Sequence, residues 1–291
     1  MTTTTTQVRI VPRTPNFGAR VEGLDAREEL DADTIAQLKE AILKYKVLFF
    51  REQNLNEEQH ARFAGYFGEP FEHNSNFDMQ YEDAGLSNVT VVPHFHSDVM
   101  YMTEQPGFAM LQMLTLPDVG GDTMWADLVS SYDALSEPIK KLIDPLTVIN
   151  VHPEYFVDSQ TLSDRYEKRY GKPLTPEQIA KRRKDLSPTE SPLVRVIPET
   201  GCKNYYISAW HTMQIKGLPK DESDAILNLL YSQQLKPEYV IRWEWTVGDI
   251  AFWDHRTTLH AGVNDYAAGA KRHGRRANIG VHSPVPSARA A

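Results

Sequence analysis

Short strand-like segments occur in both halves of the chain, with only a few helical stretches between them. Val47–Phe50 is a continuous apolar run, which is typical of a strand buried on both faces. Val240–Trp245 alternates in polarity, and a turn signal at Val247–Asp249 separates it from the apolar run Ile250–Trp253. This order argues against regular strand–helix–strand units. It favours a mainly β fold, a sandwich or barrel with flanking helices.

Two helices near the N-terminus have recognisable start signals. Asp33 can cap a helix whose apolar residues, from Ile35 to Leu43, are spaced three and four apart. Asn56 with Gln59 three residues later resembles a capping box, which predicts a second helix directly after it.

The 291 residues are long for one domain, although all-β barrels and sandwiches commonly run to about 200–250 residues as a single unit. We expect a disordered tail at residues 1–7 and a single domain over residues 8–291. Residues 153–192 differ in composition, since they are rich in charge and proline. This segment is either a solvated helical excursion or a lid over a site, because long insertions are often functional.

Composition limits the classes of partner. The net charge of −8 argues against a general nucleic-acid binder, although a local basic pocket for a small anion remains compatible with it. No run approaches the roughly 18 apolar residues of a membrane span. The threonine-rich start lacks the features of a signal peptide, and the single cysteine, Cys202, suits a reducing compartment. We therefore expect a cytoplasmic protein.

The segment His96-Ser97-Asp98 places an imidazole and a carboxylate two residues apart. On a β-strand such residues point to the same face, so one short strand would direct both at one point. One more histidine would complete the two-histidine, one-carboxylate set that holds Fe(II) on one face and leaves other positions open. Because the chain has 10 histidines, a chance pairing is the alternative interpretation.

The third ligand must come from a distant part of the chain. His260 is the best candidate, because a jelly roll makes neighbours of strands that are far apart in sequence. His255 competes with it on proximity alone.

Three motifs in one order give the chain a family resemblance. His96-Ser97-Asp98, Gly120-Gly121-Asp122-Thr123 and Trp253-Asp254-x-Arg256-x-x-x-His260 resemble the taurine dioxygenase family of Fe(II)/2-oxoglutarate-dependent dioxygenases. That group also includes alkylsulfatases and aryloxyalkanoate dioxygenases, and the resemblance covers nearly the whole chain. It implies a double-stranded β-helix (a jelly roll, cupin-like) with iron held by His96, Asp98 and His260.

The resemblance also implies a site for 2-oxoglutarate. Thr123 and Arg272 match the family residues that bind the carboxylates of this cosubstrate, and Arg276 matches an arginine that faces the substrate's anionic group. A guanidinium fork suits a carboxylate or sulfonate, and strand positions four apart share a face. Arg275 could replace either arginine if the register differs by one. A solvated basic patch is the alternative for this segment.

The resemblance is weaker around the substrate. His73 matches a histidine that contacts a sulfonate, whereas Asn76 stands where a tyrosine is expected. Val99 keeps its family type, but His211 replaces a phenylalanine and Val92 an asparagine. These differences argue against taurine itself and favour a small anion with another organic part.

The resemblance implies hydroxylation of a small organic anion, with 2-oxoglutarate and O2 converted into succinate and CO2. If the hydroxylated carbon bears a sulfonate, sulfate ester or aryloxy group, the product collapses to a carbonyl compound. The alternatives are a biosynthetic hydroxylase or desaturase of an amino acid-like or natural-product substrate, and a non-catalytic cupin-like metal-binding protein. We expect a homo-oligomer, a dimer or tetramer.

Overall fold

The computed structural model describes residues 8–71, 78–80, 95–284 and 286. The predicted tail at residues 1–7 lies outside the described residues. So do the predicted substrate residues His73 and Asn76, and Val92.

The described strands and helices are distributed along the whole chain. The strands are β1 (Arg9–Pro12), β2 (Ala19–Glu22), β3 (Val47–Phe50), β4 (Asp78–Gln80), β5 (Phe108–Thr115), β6 (Thr123–Asp127), β7 (Thr147–Asn150), β8 (Thr189–Pro192), β9 (Val194–Val196), β10 (Lys203–Tyr205), β11 (Thr212–Ile215), β12 (Val240–Trp243), β13 (Ile250–Asp254), β14 (Thr258–Gly262) and β15 (His273–Ile279). The helices are α1 (Ala32–Tyr45), α2 (Glu57–Gly65), α3 (Leu128–Asp133), α4 (Glu137–Ile143), α5 (Ser159–Tyr170), α6 (Pro176–Asp185) and α7 (Lys220–Gln234). Among these helices, none is both long and apolar enough to cross a membrane.

Two sheets face each other across an aromatic core. The larger has the strand order β1-β2-β3-β13-β5-β15-β4, and the smaller has the order β12-β6-β14. Phe49 and Trp253 from the larger sheet pack with Trp125 and Trp243 from the smaller one. Phe49 stacks on Trp243 with ring centroids 4.1 Å apart. The structure therefore has the predicted β-rich, jelly-roll architecture.

The two faces of the larger sheet bury different layers, as the period of two along a strand requires. In β13, Ala251 and Trp253 face the aromatic core between the sheets. Ile250 and Phe252 face the opposite side, where α1 and α2 cover the sheet. The predicted flanking helices thus bury the outer face.

The local predictions for the first two helices had different outcomes. The Asn56–Gln59 capping box is present at the start of α2. The prediction that Asp33 caps the first helix is wrong, because Asp31 has the extended backbone of a cap and accepts from the Thr34 N–H at 2.7 Å. Asp33 lies in the first turn instead, where its charge suits the positive end of the helix dipole.

The charged segment 153–192 forms a short 3-10 turn at Pro153–Phe156, then α5, α6 and β8. Two of its basic side chains, Arg182 and Arg183, have partners within the segment. Arg183 donates to the carbonyl oxygens of Tyr155 and Val157 at 3.0 and 2.6 Å, and Arg182 pairs with Glu154 at 2.8 Å. The segment is thus a folded helical excursion, and its role as a lid stays a prediction.

Candidate active site

A single antiparallel bridge joins His96 to His260. The His96 N–H donates to the His260 carbonyl at 3.0 Å, and the His260 N–H donates back at 2.7 Å. His260 lies on β14 directly opposite Trp125 of β6, so its position is set by the smaller sheet. The fold thereby brings together two segments far apart in sequence, as the jelly-roll interpretation requires.

The expectation that His96 and Asp98 share one short strand is wrong. His96 lies in the isolated bridge, and Asp98 begins a turn in which Val99 has a φ of +47°. This backbone region is strained for a β-branched residue and persists only where the surroundings enforce it. The turn still brings the Asp98 carboxylate beside the His96 ring, with Asp98 Oδ1 3.7 Å from His96 Nε2.

In the described part of the chain, His96, Asp98 and His260 form a group whose ligand atoms all lie within 4.8 Å of one another. Asp98 Oδ1 is also 3.9 Å from His260 Nε2. The Asp98 and His260 side chains are buried, whereas the His96 side chain is 29% exposed. The group is therefore open on one side.

The protonation states of the group suit a metal cation. Burial opposes ionisation of Asp98, but the Arg276 guanidinium, followed by the neighbouring His255, holds its pKa well below the ordinary value. Burial, followed by the neighbouring His96 ring, lowers the pKa of His260 well below its usual range. A neutral imidazole therefore stands beside an ionised carboxylate, which is the form that metal binding needs.

The donor set also has the right chemistry for iron. Two imidazole nitrogens and one carboxylate oxygen on one face are typical of non-haem Fe(II) oxygenases. The residues present therefore fit the metal that the sequence predicts.

The turn between β13 and β14 is held by a buried ion pair, Asp254 with Arg256. Asp254 Oδ1 accepts from the Arg256 backbone N–H at 2.8 Å and from Arg256 Nε at 2.9 Å, while Oδ2 accepts from Nη2 at 2.8 Å. Thr258 Oγ1 closes the turn by donating to the Asp254 carbonyl at 2.7 Å. This network explains the Trp-Asp-x-Arg part of the motif, because it fixes the entry of β14 and hence His260.

Thr123 and Arg272 form a second buried pair beside this site. Arg272 Nη2 donates to Thr123 Oγ1 at 3.0 Å, and Arg272 Nε donates to the Gly121 carbonyl at 2.7 Å. Trp245 Nε1 also donates to Thr123 Oγ1, at 3.0 Å. Because the hydroxyl oxygen accepts from two donors, its own proton is the one that can be donated to an anion.

The glycines of the second motif have a steric reason. Gly120 has a φ of +79°, and a Cβ there would lie 2.5 Å from Asp265 Oδ1. That carboxylate accepts from the Gly121 N–H at 2.9 Å and pairs with Arg242. Only a residue without a side chain allows this approach, which holds the Gly121 carbonyl where Arg272 needs it.

The three arginines of the last strand region lie on different faces. Arg276 Nη1 is 2.8 Å from Asp98 Oδ2, on the inner face. Arg275 shares the outer face of β15 with Ala277, which packs in the layer under α1 and α2. A cavity of about 430 Å³ between α2 and β15 is lined by both Arg275 and Arg276. Since Arg272 and Arg276 both reach the inner site, the structure places Arg275 away from the positions of both.

The remaining predicted substrate residues, Val99 and His211, lie next to the site. Val99 is buried in a cluster with Tyr101 and with Leu186, which belongs to the charged segment. The His211 ring is 6.2 Å from His96 and 5.3 Å from Tyr101, centroid to centroid. Burial, with smaller effects of His96 and His152, lowers the pKa of His211 to about 3, so its ring is neutral.

Sequence reasoning did not identify Tyr101 and His152 as neighbours of the site. Their rings are 5.0 Å apart, and the His152 ring is 5.7 Å from His211. Thr189 Oγ1 donates to the Tyr101 carbonyl at 2.6 Å, which links the charged segment to this wall. No local pattern indicates such contacts, because they depend on how the segment folds back.

A jelly roll with a His-Asp-His group beside a buried arginine–threonine pair defines the class of metal-dependent oxygenases. The family described as "Taurine catabolism dioxygenase TauD, TfdA family" matches residues 9–278. The chain belongs to this family of dioxygenases, and the prediction made from the three motifs is confirmed.

Individual relatives agree with the family assignment. An alkylsulfatase of Acinetobacter baylyi is 30% identical over 279 residues, covering 90% of this chain and 82% of the relative. An alpha-ketoglutarate-dependent sulfate ester dioxygenase of Pseudomonas putida is 29% identical over 273 residues, covering 89% and 85%. The crystal structure of a taurine dioxygenase from Burkholderia xenovorans has a TM-score of 0.78 at 30% identity, covering 97% of this chain and 93% of that one.

Proposed function

We propose that the chain is an Fe(II)/2-oxoglutarate-dependent dioxygenase that hydroxylates a small organic anion, with His96, Asp98 and His260 as the iron ligands. The observation that carries this proposal is the convergence of their three ligand atoms within 4.8 Å. Fe(II), when bound with 2-oxoglutarate and O2, supplies the oxidant for a substrate C–H bond, and 2-oxoglutarate is converted into succinate and CO2.

Arg272 and Thr123 are the proposed residues for 2-oxoglutarate. Arg272 is 7% exposed and is held in place by the Gly121 carbonyl and Thr123. A fixed, desolvated guanidinium binds a carboxylate strongly, and the Thr123 hydroxyl can donate a further hydrogen bond to it. A non-catalytic metal-binding protein has no need of this pair, which favours the enzyme.

Replacing Arg272 by leucine is expected to weaken 2-oxoglutarate binding about 10- to 100-fold, the effect of losing a charge-assisted hydrogen bond at a buried site. The wild-type protein mixed anaerobically with Fe(II) and 2-oxoglutarate should turn lilac, and titration of this colour measures the affinity. Arg275→Leu is the matched control, because Arg275 lies on the outer face and should leave the titration unchanged. A colourless wild-type mixture would favour the non-catalytic alternative, and equal effects of the two variants would contradict the assignment of Arg272.

We infer that the substrate is an alkyl sulfate ester or a sulfonate. The names of the two curated relatives support a sulfate ester, and Arg276 offers a guanidinium beside the Asp98 carboxylate. This guanidinium pairs with Asp98, so it must share or leave that carboxylate to bind an anion. Val99 and His211 would contact the organic part, and the roles of His73 and Asn76 stay predictions.

Release of sulfate or sulfite together with an aldehyde and succinate is the expected result with alkyl sulfates or sulfonates, because hydroxylation beside such a group makes it leave. Arg276→Ala should raise the KM for the organic anion by about 10- to 100-fold while the lilac colour persists, since one charge-assisted pair is lost. Loss of the colour would mean that Arg276 binds 2-oxoglutarate instead. Phenol release from aryloxy acids, with no sulfate or sulfite, would redirect the substrate class.

The homo-oligomeric state, the cytoplasmic location, the absence of nucleic-acid partners and the single-domain boundaries stay predictions. The charged segment remains a proposed lid, supported by the contact of its Leu186 with Val99.

A further inference from the structure

His255 is a buried histidine directly behind the Asp98 carboxylate. It is 1% exposed, and its Nε2 lies 3.3 Å from Asp98 Oδ2 and 3.3 Å from Asn278 Oδ1. Its Nδ1 lies 3.0 Å from Ser97 Oγ. The ring therefore has polar partners on both nitrogens while facing a proposed metal ligand.

The partners decide which nitrogen carries the proton. Both neighbours of His255 Nε2 are oxygen acceptors, a carboxylate and an amide carbonyl, so Nε2 is the donor. On the other side of the ring, Ser97 Oγ lies 3.0 Å from Nδ1 and donates to the His255 carbonyl oxygen, also at 3.0 Å. The hydrogen bond of this ring edge goes to Asn278 Oδ1, and the same Nε2 faces Asp98 Oδ2 at an ion-pair distance of 3.3 Å.

The two oxygens of Asp98 consequently have different surroundings. Oδ1 lies toward the Nε2 atoms of His96 and His260, at 3.7 and 3.9 Å. Oδ2 is the oxygen that Arg276 and His255 approach, at 2.8 and 3.3 Å. A carboxylate held in this way presents one oxygen to a metal and keeps the other for the protein.

We propose that His255 is a positioning residue that holds Asp98 through Oδ2, so that Asp98 binds the metal through Oδ1 alone. His255 keeps this role when Arg276 turns to the anionic substrate. The positioning role requires only that the site binds a metal. Its persistence when Arg276 turns to the substrate rests on the proposed function.

His255 is better suited than Arg276 to a permanent role. Its backbone N–H donates to the Gly107 carbonyl at 3.0 Å, and it follows Asp254 in the turn that Arg256 holds. Its ring also packs edge-on against Trp253, with centroids 5.6 Å apart. A ring fixed on all sides keeps its N–H in place, while a long arginine side chain can reorient.

Binding of Co(II) alone to the metal-free protein, followed by calorimetry and by the visible absorption of the bound ion, tests the proposal. His255→Phe should weaken Co(II) binding about 10- to 100-fold, the usual effect of losing a partner of a metal ligand. His255→Gln, which keeps a side-chain N–H, should recover most of the affinity. His60→Phe is the matched control, because it removes another buried histidine on the outer side of the larger sheet, beside the cavity between α2 and β15.

Wild-type Co(II) affinity in His255→Phe, or an equal loss in His60→Phe, would overturn the proposal. So would a His255→Gln variant that is folded yet as weak as His255→Phe. If the phenylalanine variant does not fold, as judged by its thermal melting without metal, His255→Met takes its place.

Arg276→Ala should keep Co(II) affinity within about threefold of wild type, because His255 still holds Oδ2. A larger loss there would assign the positioning role to Arg276.

These measurements separate the inference from the proposed function. Weaker Co(II) binding by the His255 variants supports the positioning role even if the wild type never decarboxylates 2-oxoglutarate. Conversely, an active wild type whose His255→Phe variant binds Co(II) normally leaves the proposed function intact and removes the positioning role.

Discussion

Replacing Asp98 by alanine is expected to abolish 2-oxoglutarate decarboxylation and to weaken Fe(II) or Co(II) binding by more than about 100-fold. Removing a residue that only hydrogen-bonds to a metal ligand already lowers metal affinity about 10- to 100-fold. Asp98→Ala removes a ligand itself, and Asp98 is the only anionic donor of the proposed set. It also leaves Arg276 and His255 without the carboxylate that they approach. Succinate formation and metal titration measure the two effects.

Asp98→Asn serves as the matched variant, because it keeps the side-chain volume and one oxygen but removes the charge. It should retain part of the metal affinity and little of the decarboxylation. Full activity of Asp98→Ala, with normal decarboxylation in the wild type, would contradict the iron-ligand assignment and with it the proposed mechanism.

Replacing Arg256 by methionine is expected to lower the free energy of unfolding by about 3–5 kcal/mol, the usual effect of breaking one buried ion pair. Both side chains are buried, with 5% of Arg256 and 2% of Asp254 exposed. The change leaves Asp254 without its two guanidinium hydrogen bonds and frees Glu199 from its ion pair with Arg256. Urea unfolding of the metal-free protein measures the loss as a lower midpoint concentration of urea, provided that the dependence of the unfolding free energy on urea concentration is unchanged.

Arg27→Met is the control for this prediction, because Arg27 forms an exposed pair with Asp25 and its loss should leave the midpoint near the wild-type value. Arg256→Lys should also be destabilised, since an ammonium cannot reproduce the two-pronged contact with Asp254. A wild-type midpoint in Arg256→Met would mean that the turn before β14 is held by its backbone contacts alone. Metal affinity should fall with stability, because the same turn sets the position of His260.

Local pattern was sufficient for the parts of this protein that depend on neighbouring residues. The strand at Val47–Phe50 and the Asn56–Gln59 capping box follow from periodicity and from hydrogen bonds three residues apart. Asp31 was missed in favour of Asp33 because both are acidic, and only the backbone conformation distinguishes a cap from a first-turn residue.

The sequence by itself determined the family and the residues that the structure brings together: His96, Asp98 and His260, with Thr123 and Arg272 beside them. These follow from residue type and order, because donor chemistry and hydrogen-bonding capacity belong to the side chains themselves. Only the tertiary structure decided which face each arginine of the last strand occupies, because a shift of one residue would exchange Arg275 and Arg276. The tertiary structure also distinguished His255, which lies beside Asp98 Oδ2, from His260, which lies beside Asp98 Oδ1. The two histidines are five positions apart in the sequence, and the turn held by Asp254 and Arg256 directs their rings to different oxygens of Asp98.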